Sequence, residues 1–250
     1  MVRKIMNVLG TFSPERRQIG LLEMAQLLDW PKSTTSRILA RMLDGGLLDR
    51  DPLSARYRVG IRMAQLGELA RQSTSLQRET RSALEQLMTR TGETASLAVL
   101  SGRNGVDMDV VETSRRVKHA DWVGRHFPLH ATASGKTLVA WRSSAEIKAL
   151  LPKRLRRYTA ATITDSTAFH KELGLVRARG YSTAHAELET DLTAIAAPVR
   201  NHSGEVVAAI AIGAPISRAA RARLPKLAAH VMEAGRAAST ALGYSVAMTA

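Results

Sequence analysis

The sequence predicts an α+β protein with a small helical domain first and a larger mixed domain second. Residues 22–58 read as two short helices and a tight turn, followed by a short β-hairpin. Beyond residue 79, predicted strands lie in the middle of the region, with helices before and after them. We therefore expect domains at 1–60 and 79–250, joined by a linker helix over 61–78.

The helices of the first domain are predicted from apolar periodicity and from residues that stop helices. One helix covers 3–9, and the next has an apolar face formed by Leu22, Ala25, Leu27 and Leu28. Pro31 ends that helix, because its ring clashes with the preceding turn and it has no N–H. Ser33 is expected to cap a second helix, which runs to Asp44 and stops at Gly45-Gly46.

This second helix and the hairpin after it form the pattern of a winged helix-turn-helix, a DNA-reading module. Arg37 and Arg41 are one helical turn apart, so both can face one groove, and arginine suits bidentate contact with guanine. The basic hairpin suits a phosphate backbone. The predicted DNA-contacting residues are Ser33, Thr34, Thr35, Arg37, Arg41, Arg56 and Arg58.

Composition limits the class of protein. The net charge of +14 favours a polyanionic partner, and nucleic acid is the obvious one. That charge divides into +6 over 1–78 and +8 over 79–250, so the helix pattern, more than the charge, carries the DNA prediction. There is no cysteine, which excludes disulfides and thiolate chemistry. No long apolar run or signal peptide is visible, so we expect a cytoplasmic protein without a membrane partner.

The elements of the second domain follow from period-2 and period-3.6 patterns and from turn residues. Its helices are predicted at 80–90, 134–141, 144–151, 166–179 and 217–242. Its strands are predicted at 95–100, 106–112, 117–123, 193–200 and 206–212. In the second of these strands Asp107 and Asp109 alternate with the apolar Met108 and Val110.

Four blocks of sequence resemble, in order, the isocitrate lyase regulator (IclR) family of bacterial transcription factors. The blocks are PKSTTSRILARMLDGGLLDRDPLSARYRVG, VGRHFPLHATASGKTLVA, TITDSTAFHKELGLVRARGYS and AIAAPVRNHSGEVVAAIAIGAPISR. The resemblance implies a GAF-like effector-binding domain behind the winged helix-turn-helix, a linker helix that contributes to dimer contacts, and a homodimer or homotetramer.

The resemblance also implies where an effector binds. The block HATASGKT resembles the family's loop bordering the effector cavity, and the helix start there offers backbone N–H groups to a small carboxylate. His119 can hydrogen-bond a polar ligand group or be an ordinary strand histidine, and Trp122 and Phe127 can supply aromatic walls. The predicted ligand-binding residues are His119, Trp122, Ala133, Ser134, Leu192, Ala194 and Ala211.

The sequence departs from the family where members that sense small oxo-acids carry an acid, a cysteine and serines. Small, mostly apolar residues stand there instead, namely Ala184, Ala194, Ala211 and Gly213. We expect a larger and drier cavity, which favours a more apolar effector such as an aromatic acid or a related aromatic compound. The alternative is a cavity that is simply different, or vestigial.

Other chemistries find little support in the sequence. Gly135-Lys136-Thr137 lacks the glycine of a phosphate-binding loop, because His130 stands at that position. The seven histidines show no zinc spacing, and no G-x-S-x-G elbow is present. We predict no catalytic residues, metal or cofactor.

The expected function is a ligand-responsive regulator, a repressor of a catabolic operon. The alternatives are a constitutive DNA-binding protein whose second domain only oligomerises, and a GAF-like enzyme.

Overall fold

The computed structural model describes residues 1–13, 16–73, 75–118 and 123–245. The chain divides into two compact units, Met1–Thr74 and Ser75–Ala250. A helical unit with a small hairpin comes first and a mixed α/β unit second, which confirms the predicted fold class. The proposed domain bounds of 1–60, 61–78 and 79–250 stay a prediction. No helix in the described ranges is long and apolar enough to cross a membrane.

The first unit is built from helices around one small apolar core, with the hairpin packed beside them. Its elements are α1 (Val2–Leu9), α2 (Leu21–Leu28), α3 (Lys32–Asp44), β1 (Leu48–Arg50), β2 (Tyr57–Val59) and α4 (Ile61–Ser73). Strands β1 and β2 are antiparallel. Ile19, just before α2, bridges Tyr57 of β2, so the hairpin is tied to the helices by backbone pairing as well as by packing.

Two details of α2 and α3 differ from the prediction. Leu22 and Leu27 are 61% and 45% exposed, because the buried face of α2 follows the spacing of Leu21, Met24, Ala25 and Leu28. Helix α3 begins at Lys32 with Pro31 at its N-cap, so Ser33 lies inside the first turn and caps nothing. Proline is already in an extended conformation there and needs no N–H.

The second unit is one six-stranded antiparallel sheet with helices on both faces. Its helices are α5 (Ser75–Thr91), α6 (Ala133–Ala140), α7 (Ser144–Leu150), α8 (Ser166–Arg179) and α9 (Leu224–Ala241), the last preceded by a 3₁₀ turn (Arg221–Arg223). Its strands are β3 (Thr94–Ser101), β4 (Asn104–Val111), β5 (His126–Phe127), β6 (Ser182–His185), β7 (Leu192–Arg200) and β8 (Val206–Pro215). The strand order is β5-β4-β3-β8-β7-β6.

The two faces of this sheet differ in side-chain size. Ile195 and Ile210 face α5 and α9, in a core with Leu84 and Val231. The other face carries alanines, and α6 packs there through Ala133 against Ala184, Ala196 and Ala211. The small side chains let α6 lie close to the strands, and this closeness places the start of α6 against the sheet.

Several elements depart from the sequence pattern. The described ends of the segment predicted as a strand at 117–123, residues 117–118 and 123, are not in a strand. The short edge strands β5 and β6 were not predicted, because two to four residues carry little periodicity. Helix α9 starts later than residue 217, with Pro225 in its first turn. Helix α5 starts earlier than residue 80, at Ser75.

Candidate functional site

Helix α3 presents a polar face with two unpartnered arginines. Ile38, Leu39 and Met42 are buried in the core of the first unit, which turns Ser33, Arg37 and Arg41 outward. Within the described ranges, the side chains of Arg37 and Arg41 form no hydrogen bond or ion pair. Their guanidinium groups, one turn apart, are therefore free to meet an external acceptor.

The structure corrects one residue of the predicted DNA-contacting set. Thr35 is fully buried, and its hydroxyl donates to the carbonyl oxygen of Pro31 at 3.2 Å. It belongs to the inner face of α3 because it lies three residues before Ile38. Thr34 is half-buried. Lys32, which the prediction left outside the helix, is exposed in the first turn of α3 and joins the same polar face.

The hairpin after α3 is rigid at its tip. One carboxylate oxygen of Asp51 accepts hydrogen bonds from the backbone N–H groups of Leu53 and Ser54, at 3.1 and 2.7 Å, and from the Ser54 hydroxyl at 2.9 Å. These bonds from Ser54 hold the pKa of Asp51 below its ordinary value. The turn is therefore ordered by its own side chains.

The two arginines predicted on the hairpin have different surroundings. Arg56 donates to the carbonyl oxygen of Gln18 at 2.9 Å and to the carboxylate of Glu23 at 2.7 Å, so it fastens the hairpin to α2. The Arg58 side chain is half-exposed, and its nearest carboxylate oxygen, on Asp49, is 3.9 Å away. Arg58 is the freer of the two to reach a phosphate, and Arg56 is positioned to hold the hairpin in place.

The second unit contains a cavity between the start of α6 and the sheet. Five of the residues predicted to bind a ligand line it together, although they are far apart in sequence. They are Ala133, Ser134, Leu192, Ala194 and Ala211. The other two, His119 and Trp122, lie outside the described residues. Thr132 caps α6 by accepting a hydrogen bond from the N–H of Gly135 at 3.1 Å, so the helix start is fixed at the cavity wall.

Charged side chains that sequence reasoning missed also line this cavity. They are Asp107 on β4, Arg125 just before β5, and Glu187 in the loop after β6. Asp107 is 3% exposed and lines the cavity, whereas Asp109 pairs with Arg81 of α5 on the other face of the sheet. The pairing of β3 with β4 shifts register between these two aspartates, so they do not share a face as strict alternation would require. Alternation alone therefore could not place Asp107 in the cavity.

Glu187 forms a buried ion pair behind the cavity wall. The ammonium of Lys136, which is fully buried, lies 2.7 and 2.8 Å from the two carboxylate oxygens of Glu187. Burial raises the pKa of Glu187, and the adjacent Lys136 partly opposes that shift. Lys136 belongs to the Gly-Lys-Thr triplet, so this lysine serves an internal pair, away from any phosphate-binding loop.

These charges correct the expectation of an enlarged, dry cavity. Ala184, Ala194, Ala211 and Gly213 do form a small apolar wall. The cavity nevertheless has a volume of only about 50 Å³, and Ser96, Asp107, Arg125 and Glu187 place polar groups around it. An apolar cavity that holds benzene measures about 150 Å³. The charged and hydroxyl groups at this cavity thus come from β3, β4, the start of α6 and the loops, and not from β7 or β8.

The described residues contain no cluster of His, Asp or Glu side chains arranged to hold a metal ion. The site chemistry visible in the two units is therefore hydrogen bonding and ion pairing. In the first unit it comes from an exposed basic helix face. In the second it comes from a small cavity with one helix start and three charged side chains.

Comparison with known proteins agrees with both units. Residues 1–52 match the family model described as the IclR helix-turn-helix domain, and residues 69–240 match the one described as bacterial transcriptional regulator IclR C-terminal. The chain is 31% identical to the HTH-type transcriptional regulator XynR of Escherichia coli (strain K12) over 97% of each protein. It is 30% identical to the transcriptional repressor IclR of the same strain, over 90% of this chain and 83% of that protein.

Solved structures are similar over the same length. One is an IclR homologue from Microbacterium hydrocarbonoxydans in complex with 4-hydroxybenzoate, with a TM-score of 0.84, 26% identity and coverage of 96% and 98% of the two chains. Another is a transcriptional regulator from Rhodococcus sp. RHA1, with a TM-score of 0.82, 27% identity and 95% coverage of both. The chain therefore belongs to the IclR family of bacterial transcriptional regulators, which are DNA-binding proteins and not enzymes.

Proposed function

We propose that this protein represses a catabolic operon by binding double-stranded operator DNA, and that a small organic acid in the second unit changes that binding. The observation that carries the DNA part is the exposed, unpartnered pair Arg37 and Arg41 on the second helix of a helix-turn-helix. We place Ser33, Thr34 and Lys32 beside them at the groove, with Arg58 at a phosphate. A DNA partner also implies a cytoplasmic location.

A homodimer or homotetramer fits this reading. Helix α4 leaves Ile61, Leu66 and Leu69 between 50% and 69% exposed on its described positions. Exposed apolar side chains repeated along one helix suit contact with a second copy. A dimer would bind two half-sites related by its two-fold axis, and so protect a pseudo-palindrome in a footprinting experiment. A single unpaired half-site would contradict the dimer.

The effector part rests on the start of α6. The backbone N–H groups of Ala133 and Ser134 are in the first turn of the helix, where they have no partner within the helix and where the helix dipole favours an anion. Arg125, which also pairs with Glu189 at 2.9 Å, places a guanidinium group at the cavity wall, while Asp107 and Glu187 can accept hydrogen bonds from a ligand hydroxyl. A carboxylic acid that also carries a hydroxyl group complements these surfaces.

Two observations differ on the size of this acid. The cavity volume of about 50 Å³ favours a short acid. The homologue bound to 4-hydroxybenzoate, with which this chain shares its fold, favours an aromatic acid. An aromatic ring would need the cavity wall to move outward. Calorimetry with short hydroxy-acids, oxo-acids and hydroxybenzoates distinguishes the two, and a footprint repeated with the bound compound tests release from DNA.

Ala194→Phe tests the location of the effector site. A phenyl ring on β7 would fill the cavity, so we expect effector binding to be lost while DNA binding persists. Overpacking costs about 1–3 kcal/mol of stability, so thermal unfolding is measured first. Ala208→Gly, at a buried alanine of β8 that is not among the cavity-lining residues, serves as the control for a disturbed sheet. A folded Ala194→Phe protein with unchanged effector affinity would place the site elsewhere.

Release of DNA by an effector also distinguishes the proposed function from the alternative functions. A constitutive DNA-binding protein whose second unit only oligomerises would show the same footprint with and without every compound in the panel. Affinity for DNA can change only by the difference in the effector's affinity for the two states of the protein.

A further inference from the structure

The second unit contains another concave surface, at the opposite end of α6 from the effector cavity. We call it the arginine groove and define it by Trp141, Arg177, Arg200, Arg236, Ser239 and Tyr244. Its volume is about 470 Å³, and it shares no lining residue with the effector cavity. It runs beside the part of β7 beyond Ala196, where the pairing with β6 ends.

Three guanidinium groups surround this groove, and none forms an ion pair with a carboxylate among the described residues, although Glu233 lies near enough to Arg236 for the two charges to attract. Arg177 donates to the carbonyl oxygen of Ala140 at 2.6 Å. Arg200 donates to the carbonyl oxygen of Gly204 at 2.8 Å and lies over the ring of Trp141, 4.8 Å from its centroid. Arg236 is exposed and forms no hydrogen bond or ion pair with the described residues. Carbonyl groups orient a cation but leave its charge uncompensated.

Elsewhere in the second unit, most arginines with defined contacts have an acidic partner. The pairs include Arg81 with Asp109, Arg90 with Glu233, Arg125 with Glu189, Arg142 with Glu146, Arg179 with Glu172, and Arg218 with Glu93. No residue lining the arginine groove is acidic. Glu233, one turn from Arg236 on α9, is bonded to Arg90. Like charges collected without a counter-charge raise the energy of the folded chain, and an external anion removes that cost.

The arginine groove offers side chains to a ligand, but few free backbone groups with which an added peptide strand could pair. Pro198 on the open edge of β7 has no N–H to offer, and the N–H of Arg200 already donates to the Ser239 hydroxyl at 2.9 Å. A strand added at this edge would find few backbone partners. Arg177 and Arg200 are held in place by their carbonyl and ring contacts, whereas Arg236 is free to close on a ligand.

We propose that the arginine groove is a second ligand site, which binds a small polyanion carrying phosphate groups or several carboxylates. The planar guanidinium fork matches both kinds of oxyanion in a bidentate manner. The volume of about 470 Å³ lies within the range of about 300–1,000 Å³ that small-molecule sites occupy. The Tyr244 phenol adds a hydroxyl group to the same surface.

The test is calorimetric titration of the full-length protein with pyrophosphate and with citrate, at constant ionic strength. We expect wild-type protein to bind at least one of them, and Arg177→Gln/Arg236→Gln to bind about tenfold more weakly. The matched control is Lys153→Gln/Arg154→Gln, which removes the same charge from exposed positions away from the groove and should leave the affinity unchanged. Pyrophosphate without citrate indicates a phosphate site, and the reverse indicates a polycarboxylate site.

Two results would overturn the proposal. One is the absence of saturable binding to wild-type protein, and the other is an equal loss in both double variants, which would show a response to net charge alone. Should the groove variant not fold, Arg236→Gln decides alone, because that exposed side chain has no hydrogen bond or ion pair among the described residues to lose and its loss should still weaken binding. Competition by duplex DNA, or an oligomeric state that changes with Arg236→Gln, would assign the groove to a macromolecule instead.

The two proposed ligand sites can be tested independently. Ala194→Phe should bind the polyanion normally, so failure of the effector site and failure of the groove are distinguishable.

Discussion

Positive charge is held in opposite ways on the outer face of α3 in the first unit and at the buried Lys136 of α6 in the second. In the first unit, Arg37 and Arg41 stand on the outer face of α3 with no partner among the described residues. In the second unit, Lys136 is fully buried and lies 2.7 Å from a carboxylate oxygen of Glu187. The exposed charges cost the fold little and can bind something outside it. The buried charge is needed by the fold itself, since an unpaired ammonium in the interior is expensive.

This contrast shows how the role of each basic residue can be inferred in a chain with a net charge of +14. The charge total says little about where a polyanion binds, because both halves of the chain are basic. The partners of each arginine or lysine say more. A cation held by a carboxylate serves the structure, and one left without a carboxylate on a shaped surface is available to a ligand.

The largest expected effect comes from breaking the buried pair. Lys136→Met leaves the Glu187 carboxylate buried without its cation, which should lower the free energy of unfolding by about 3–5 kcal/mol. Denaturant unfolding measures this. Adding Glu187→Leu should recover most of the loss, because an apolar pair of similar size needs no counter-charge. A Lys136→Met protein as stable as wild type would show that the pair is solvated.

The unpaired arginines should behave in the opposite manner. Arg37→Ala/Arg41→Ala should leave the stability within about 0.5 kcal/mol of wild type, since both side chains are exposed and without partners. Specific DNA binding should lose about 1–3 kcal/mol for each base contact removed. Mobility shifts with operator and scrambled duplexes measure the difference, with Lys153→Ala/Arg154→Ala as the charge-matched control. Unchanged operator binding would remove α3 as the recognition helix.

Arg56 extends the comparison between paired and unpaired arginines, because it is a paired arginine inside the DNA-binding unit. Its ion pair with Glu23 is half-exposed, so Arg56→Ala should cost only about 0.2–1 kcal/mol of stability. The loss of its bond to Gln18 should loosen the hairpin and weaken binding to all duplexes alike. Arg58→Ala, two residues further on in β2 and with its carboxylate partner Asp49 at the longer distance of 3.9 Å, is the comparison variant. A change in base preference with Arg56→Ala would mean that this side chain reads the sequence.

The smallest effect concerns the tip of the hairpin. Hydrogen bonds from Ser54 hold the pKa of Asp51 below its ordinary value, so the ionised carboxylate supports the folded turn. That support is present above the unfolded pKa of the aspartate and disappears as the pH falls through the lower folded value. In Ser54→Ala, the pKa of Asp51 should move up toward its ordinary value, which carboxyl-carbon NMR titration records. The backbone N–H of residue 54 still donates to Asp51 in this variant, so a pKa that does not move would show that the Ser54 hydroxyl does not stabilise the carboxylate.

Local signals in the sequence predicted much of the fold. Helix α8 appears at 166–179 as predicted, because Asp165 caps its start and Gly180 supplies the left-handed residue at its end. Helix α3 was placed within two residues at its start, where the cap is Pro31 and not Ser33, and ends at Asp44 as predicted before Gly45-Gly46. Thr35 shows the limit of this reasoning, since a polar residue on the inner face of a helix breaks the apolar pattern while its backbone neighbour satisfies its hydroxyl.

The sequence by itself determined the winged helix-turn-helix, most of the helices, the longer strands and the family, because capping, periodicity and turn chemistry act over a few residues. Only the tertiary structure decided which charges meet. Asp107 lies on a strand, whereas Arg125 and Glu187 lie in the segments before β5 and after β6, and the three converge because antiparallel pairing and the close approach of α6 bring those segments together. Such convergence depends on contacts between residues far apart in the chain, which no local pattern encodes.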